Sequence, residues 1–339
     1  MLKEVVSVLN AKNLIAFTLI AILSISAIFN PYTSQYLSQL KEGAIPASQM
    51  QNELYDLIVE AADRYESDPQ DAKIDRVWKA MPGYNGIKVD IDASYRKMKK
   101  DKVFDERKLV FTQISPKKHL NDLPASPIYR GHPDKPMVSF LINVAWGNEY
   151  LPSMLATLKE HKIHATFFLE GRWVKENPEL AKMIADGGHE VGNHSYSHPN
   201  MQTLSSEKIK EEIQKTNDII EATTGQKPNW FGPPSGAYRD ETIEIAYSYG
   251  LRTVMWTVDT IDWQKPSPQV LIQRVTTKVE PGAMILMHPT ESTSKSLDTL
   301  IRELKGKNLR IGTVSKLMDE ERIIKLNGLE KEDNKGQNP

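Results

Sequence analysis

The chain has 339 residues, 43 basic and 44 acidic side chains, and no cysteine. The missing cysteine excludes disulfides, thiolate metal sites and a cysteine nucleophile, and the net charge of -1 excludes binding of nucleic acid through a broad positive surface. An apolar fraction of 40% is typical of a globular protein, and at roughly 100 to 200 residues per domain the length predicts one large domain plus a smaller part.

The first predicted element is an apolar segment near the N-terminus. Residues 13–40 contain no charged side chain, and their densest apolar stretch, residues 14–29, follows Lys3 and Lys12. As a helix its sixteen residues would span roughly 24 Å, a little short of the ~30 Å hydrocarbon core of a bilayer. Basic residues before such a segment keep the N-terminus in the cytoplasm. We therefore expect residues 1–40 to be a cleaved signal or a retained membrane anchor, with the rest of the chain outside the cytoplasm.

Residues 41–130 are predicted to form a small α+β module that ends in a linker. Met50, Leu54 and Leu57 follow helical spacing, and residues 86–92 alternate like a strand. The stretch 116–136 contains five prolines, which is typical of a linker. Nothing in the sequence of this module indicates its role.

Residues 131–325 contain seven short apolar runs that alternate with amphipathic helices. The runs are residues 137–143, 165–170, 189–193, 229–232, 252–258, 283–288 and 309–314. This alternation predicts a parallel sheet with helices on its outer face. Closed on itself, the sheet is a distorted seven-stranded (β/α) barrel with its site at the carboxyl ends of the strands; the alternative is an open, doubly wound sheet. The polar tail, residues 326–339, is predicted to be disordered.

Histidines and carboxylates follow several of these runs. His194 and His198 come directly after the third run, and two imidazoles four residues apart on one turn can face a common centre, an arrangement that suits zinc. Asp262 follows the fifth run and His288 ends the sixth. A carboxylate beside an imidazole holds the ring of a proton donor. The structural alternatives are packed or surface histidines and, for Asp262, a cap of the turn before Trp263.

The most specific motif is GHEVGNHSYSHPN, Gly188 to Asn200. ATFFLEG precedes it, and PPSGAY, WTVDTIDW and ILMH follow it along the chain. Together these motifs resemble the polysaccharide deacetylases, carbohydrate esterase family four, over about residues 134 to 325. The resemblance implies a distorted (β/α) barrel, a divalent metal, most commonly zinc, and removal of acetyl groups from N-acetylated sugars in peptidoglycan, chitin or related polymers.

The resemblance also implies roles for individual groups. The metal ligands would be His194 and His198. The general acid would be His288, and Asp262 would be the partner of that acid. Leu286 and Trp263 would line the groove for the acetyl methyl group. The backbone N–H of Ser235 would be the donor to the oxyanion. In such a site the metal polarises the amide carbonyl and activates a water, while the histidine acid protonates the departing amine.

The chain departs from the family pattern at its first and third motifs. Asn143 stands where the family has its general base, an aspartate, and Val144 stands where it has a metal-binding aspartate. Gly232 replaces the arginine that orients the base. An amide does not accept a proton at neutral pH, and valine has no donor for a metal. The site as predicted therefore lacks its base and one metal ligand.

The sequence thus predicts a metal-dependent N-deacetylase of cell-wall or spore-wall polysaccharide with reduced activity, because general base catalysis contributes about 10² to 10⁴ in rate. Asp259, Glu149 and Glu170 are candidate replacement bases, although each also fits a solvated rim. The INVAWG variant of the first motif resembles a sporulation-associated branch of the family. The alternatives are a catalytically silent glycan-binding or wall-scaffold protein and a different metal hydrolase on the same fold. The expected partners are wall glycan and, through the N-terminal segment, a membrane; no nucleic acid is expected.

Overall fold

A computed structural model describes residues 11–28, 30–43, 47–326 and 329–330. Its described residues form two compact units. One contains the chain up to Arg64 together with Val89–Val110, and the other contains Tyr65–Lys88 together with the chain from Phe111 onward.

The first unit is helical. Its helices are α1 (Ala11–Ile28), α2 (Pro31–Gly43), α3 (Ala47–Tyr65) and α4 (Ile91–Met98). The predicted spacing in α3 is partly confirmed: Leu54 is buried, but Leu57 is exposed and Ile58 takes its place on the buried face. The predicted signal or anchor segment coincides with α1. Among the residues described, no helix combines the length and the apolar character needed to cross a bilayer.

The second unit is built on a parallel sheet of eight strands. The strands are β5 (Met137–Val144), β6 (Thr166–Leu169), β7 (Glu190–Asn193), β8 (Trp230–Phe231), β9 (Arg252–Thr253), β10 (Val258–Asp259), β11 (Met284–Met287) and β12 (Arg310–Gly312). Seven of them follow the order β10-β11-β5-β6-β7-β8-β9, and β12 also pairs with β5. The strands therefore follow the order of a barrel that is open between β9 and β10, and the sheet is a curled half-barrel. The predicted α/β class and distorted seven-stranded barrel are confirmed, and a doubly wound sheet, whose strand order reverses at its centre, does not fit.

The predicted fifth strand is the main difference from the sequence analysis. Residues 252–258 form two short strands, β9 and β10, which lie at opposite ends of the seven-strand path. Ile128, which is fully buried, donates to the carbonyl of Thr253 at 2.9 Å and accepts from the N–H of Met255 at 2.8 Å. The carbonyl of Thr253 and the N–H of Met255 are thus satisfied by a segment outside the barrel, and the sheet opens there.

Outer helices cover the sheet. They are α5 (Leu151–Glu160), α6 (Gly171–Glu176), α7 (Pro178–Asp186), α8 (Ser206–Thr224), α9 (Asp240–Ser248), α10 (Pro268–Thr276), α11 (Glu291–Gly306) and α12 (Val314–Met318). All eight residues of β5 are buried, which explains its continuous apolar run. Ser205 caps α8 by accepting from the N–H of Lys208, and Gly225 ends it with a left-handed φ of 72°.

Shorter strands complete the second unit. They are β1 (Lys73–Asp75), β2 (Lys79–Met81), β3 (Gly86–Val89) and β4 (Phe111–Ile114), with β13 (Lys325–Leu326) and β14 (Leu329–Glu330) at the end of the described chain.

The division into units differs from the predicted boundary at residue 130, because residues 65–88 and 111–130 belong with the barrel. Of the predicted disordered tail, Leu326, Leu329 and Glu330 belong to a strand pair, and residues 327–328 and 331–339 lie outside the described residues.

Candidate functional site

The carboxyl ends of the barrel strands surround a cavity of about 440 Å³. Its lining is Asn143, Ala145, Trp146, His194, His198, Ser235, Trp256, Asp259, Trp263, Leu286 and His288. Seven predicted site residues thus line one cavity, and Asp262 lies directly behind His288. Val144 is the exception, since it does not line the cavity.

The histidine pair is held by an irregular loop. Ser195 and His198 both have left-handed backbones, with φ of 62° and 55°, so the turn that carries the two imidazoles is irregular. Glu212 stabilises the loop by accepting from the N–H groups of Tyr196 and Ser197, each at 2.8 Å. This geometry brings the rings of His194 and His198 to a centroid distance of 5.0 Å, inclined at 67°.

His194 is buried and fixed in orientation. Its Nδ1 lies 2.6 Å from the carbonyl oxygen of Gly232. A carbonyl only accepts, so Nδ1 carries the proton and Nε2 keeps its lone pair in the neutral ring. Burial lowers the pKa of His194 to about 3, and the nearby His198 adds to this effect. The ring is therefore neutral at physiological pH.

The donors around this pair do not match a catalytic zinc site, which usually has three protein ligands. Val144 is fully buried and belongs to the same apolar cluster as Leu151 and Trp173. Side chains alternate along a strand, so Asn143 and Ala145 face the cavity while Val144 faces the core. Within the described chain, no group of three or more His, Cys, Asp or Glu side chains is placed to hold a metal ion. In the described part of the chain, the predicted zinc site thus has two imidazoles and no third His, Cys, Asp or Glu donor.

The predicted acid pair forms a closed hydrogen-bond unit. Asp262 is fully buried, and its Oδ1 lies 2.8 Å from Nδ1 of His288. Its Oδ2 accepts from the backbone N–H of His288 and from the hydroxyl of Thr293, both at 2.6 Å. Trp146 stacks on the imidazole of His288, with a centroid distance of 5.9 Å and an angle of 7°. The ring of His288 is thereby fixed on its edge and covered on one face.

None of the candidate replacement bases is well placed to act as one. Asp259 lines the cavity, but its Oδ1 accepts from the N–H of Ile261 at 2.8 Å. That bond supports a left-handed backbone at Ile261, with φ of 51°, which is rare for a β-branched residue. Glu170 is buried, and burial raises its pKa, but it does not line the cavity. Glu149 lines a neighbouring cavity instead.

The position of the family's arginine is closed by packing. A Cβ at Gly232 would lie 3.0 Å from Cδ1 of Phe168, so a side chain there requires the ring to move by a few tenths of an ångström. The site as it stands contains an oriented acid histidine, two neutral or near-neutral imidazole rings and aromatic walls, without a carboxylate at the base position. Sequence reasoning missed Trp146, Trp256 and Thr293. Trp146 and Trp256 had a signal, since Trp146 lies two residues beyond the substituted Val144 and Trp256 is the first residue of the WTVDTIDW motif.

Comparisons with known proteins agree with this architecture. The sequence profile described as polysaccharide deacetylase matches residues 130–254. The uncharacterized protein YlxY of Bacillus subtilis is 52% identical over 309 residues, which are 91% of this chain and 97% of that protein. The peptidoglycan-N-acetylmuramic acid deacetylase PdaA of B. subtilis is 29% identical over 200 residues, which are 58% of this chain and 76% of PdaA.

Solved structures give the same result with more detail. Wild-type BA3943 from Bacillus anthracis, described as a pseudoenzyme of family CE4, is 58% identical with a TM-score of 0.78, over 80% of this chain and 96% of that chain. A BA3943 mutant, described as a pseudoenzyme with restored enzymatic activity, is 57% identical with a TM-score of 0.77, over 80% and 99% of the two chains. Since sequence and fold agree over almost the whole of these relatives, the chain belongs to the polysaccharide deacetylase family, carbohydrate esterase family four.

Proposed function

We propose that this protein binds cell-wall or spore-wall glycan in the deacetylase cavity without hydrolysing it. The observation that carries the proposal is the first motif: Asn143 occupies the base position, and the side chain of Val144 lies in the core. Among the described residues Asp259 is the one carboxylate that lines the cavity, and its Oδ1 is already bonded to the N–H of Ile261. An amide at this point offers both a donor and an acceptor to the acetamido group of a sugar, but it does not activate water.

The walls of the cavity suit a sugar ring. Trp146 and Trp263 are 46% and 55% exposed, which is unusual for tryptophan and leaves part of each ring open to a ligand. Leu286 is buried beside them and provides apolar surface for the acetyl methyl group. The relatives point to the same ligand class, because PdaA is a peptidoglycan deacetylase and BA3943 is described as a pseudoenzyme.

A slow deacetylase is the second candidate. The unit formed by Asp262, His288 and Thr293 favours it, since an oriented imidazole can donate a proton to a departing amine. Activity would then depend on a water that no described base activates.

Location outside the cytoplasm forms part of the proposal. It is supported by the charge-free segment that follows Lys3 and Lys12. Alkaline phosphatase fused after Ile324 tests it, because the enzyme is active only when exported. An inactive fusion that is expressed at normal levels would refute it.

Acetate release and glycan binding, measured on the full-length protein in detergent, separate the two functions. The substrates are N-acetylglucosamine oligomers and peptidoglycan. We expect binding without acetate release, and a loss of about fivefold in affinity for Trp263→Ala, since an aromatic contact contributes roughly 1 kcal/mol. Met183→Ala, at a similarly exposed position that lines a different groove, is the matched control.

Each result favours one function. Acetate release that disappears in His288→Ala would establish the slow enzyme. Failure of both glycans to bind would refute the proposal, as would an equal loss of affinity in the Met183→Ala control.

A further inference from the structure

A second cavity of about 620 Å³ adjoins the deacetylase cavity. Trp146 and Trp263 line both cavities, so the two tryptophans stand at the boundary between them. Asp262, which holds the imidazole of His288 from behind, also lines the second cavity. A ligand stacked on either tryptophan would therefore have one end next to His288 and the other end in the second cavity.

The loops around the second cavity are fixed against each other. Gly147 has a φ of 82°, and a Cβ at this position would lie 2.0 Å from the carbonyl oxygen of Pro289. The hydroxyl of Ser292 donates to the carbonyl of Pro266 at 2.6 Å. These contacts tie the loop after β5, the loop after β10 and the start of α11 together, so the cavity is preformed, as ligand cavities usually are.

Five charged side chains line this cavity; Asp262 is bonded to His288, and two of the others are paired with each other. Lys295 bonds to Glu291 at 2.5 Å along α11. The other two are Lys265 and Glu149, and neither makes an ion pair within 4.0 Å in the part of the chain that the structure describes. Lys265 also has a left-handed backbone, with φ of 53°, a conformation that costs energy for a residue other than glycine. The cavity thus offers one cation and one anion to a ligand.

We propose that the second cavity binds the peptide substituent of peptidoglycan while the sugar lies in the deacetylase cavity. This inference rests on the proposed function and specifies its ligand. An N-acetylglucosamine oligomer is uncharged and leaves both Lys265 and Glu149 without partners. A stem peptide carries carboxylates and, on its diamino acid, an amine, so it complements both charges. The two tryptophans provide the continuous surface that leads from the sugar to the peptide.

Calorimetric titration of the full-length protein in detergent tests the inference with two ligands. One is a disaccharide-tetrapeptide released from peptidoglycan, and the other is the N-acetylglucosamine disaccharide, which carries neither a carboxylate nor an amine. We expect the peptide-bearing ligand to bind about tenfold more tightly at low salt, since exposed ion pairs contribute up to about fivefold each. This advantage should fall at high salt, because exposed charges are screened.

Single charge removals identify the contacts. Lys265→Gln and Glu149→Gln should each weaken the peptide-bearing ligand by about two- to fivefold and leave the affinity for the uncharged disaccharide unchanged. Lys159→Gln, an exposed lysine on α5 that lines another groove, is the matched control and should change neither ligand.

The outcomes distinguish this inference from the proposed function. Equal affinity for the two ligands would overturn the inference and leave glycan binding intact. Equal weakening of both ligands in Lys265→Gln and Glu149→Gln would also overturn it, because it would indicate a structural role. Absence of binding by both ligands would overturn the proposed function itself.

Discussion

A carboxylate introduced at position 144 tests whether this side chain belongs to the core or to the site. Val144 is fully buried in the cluster that contains Leu151 and Trp173. Val144→Asp removes about 1.5 to 3 kcal/mol of apolar burial. It also leaves a buried carboxyl without a partner, at a cost of about 1 to 3 kcal/mol. We expect the free energy of unfolding to fall by about 3 to 5 kcal/mol, a large part of the ~5 to 15 kcal/mol typical of a domain.

The cost should depend on pH in a defined direction. Burial raises the pKa of the introduced carboxyl in the folded state, because it disfavours the ionised form. Above about pH 3.9 the unfolded chain releases this proton while the folded chain retains it, so stability falls further as the pH rises. Asn143→Asp is the contrast, since Asn143 lines the cavity and its replacement removes no apolar burial. Its cost should stay below that of Val144→Asp, because the new carboxylate faces the cavity and not the apolar core.

Urea denaturation of the full-length protein, followed by tryptophan fluorescence, measures both costs. Val144→Thr serves as the control of nearly equal shape, with an expected loss of about 1 kcal/mol from its buried hydroxyl. A loss below about 1 kcal/mol for Val144→Asp, with an unchanged dependence on urea, would refute the reasoning. It would show that the side chain reaches the cavity and that the metal-binding position is still available.

Three further predictions follow from the site. Asp262→Asn should lower the free energy of unfolding by about 2 to 3 kcal/mol in urea, because the amide nitrogen cannot accept a hydrogen bond; a change below about 0.5 kcal/mol would contradict the bonds to His288. Burial lowers the pKa of His194 to about 3 in the folded state. Between about pH 6.5 and pH 3 the unfolded chain therefore binds a proton that the folded chain does not, and the free energy of unfolding falls by up to ~1.4 kcal/mol for each unit by which the pH is lowered. His194→Gln should remove that share of the acid destabilisation, and an unchanged slope would count against it. Asn143→Asp combined with Gly232→Arg should make acetate release measurable, since a base contributes ~10² to 10⁴ in rate; no release from a folded variant would contradict the alignment of the first motif.

The fold was largely predictable because parallel strands that are buried on both faces produce continuous apolar runs. Six of the seven runs correspond to single strands. The run at residues 252–258 was wrong as one strand, because its middle pairs with Ile128, more than a hundred residues earlier in the chain. The two compact units also divide the chain at positions other than residue 130. Local periodicity carries no information about contacts between distant segments.

The site was predictable to the extent that motifs specify it. His194, His198 and His288 lie at strand ends and line one cavity. The stacking of Trp146 on His288 and the bond from Thr293 to Asp262 depend on how separate loops pack, which no spacing in the sequence encodes. The orientation of Val144 was not predicted either, since an alignment assigns a position and not the face of the strand to which its side chain points.

The sequence favours catalysis because it contains the acid pair and the ligand histidines, but Asp262 and His194 also make structural hydrogen bonds. Asp262 satisfies the backbone N–H of His288 and the hydroxyl of Thr293 inside the protein, so its loss would leave buried donors unpaired. His194 satisfies the carbonyl of Gly232 in the same way. By contrast, the side chain of Asn143 makes no such bond to the described residues, and Gly232 has no side chain. The family's aspartate and arginine are therefore not needed at these positions to satisfy a structural hydrogen bond. Loss of catalysis in this fold can therefore remove the base while the acid and the histidines persist for stability, and their presence together does not by itself indicate turnover.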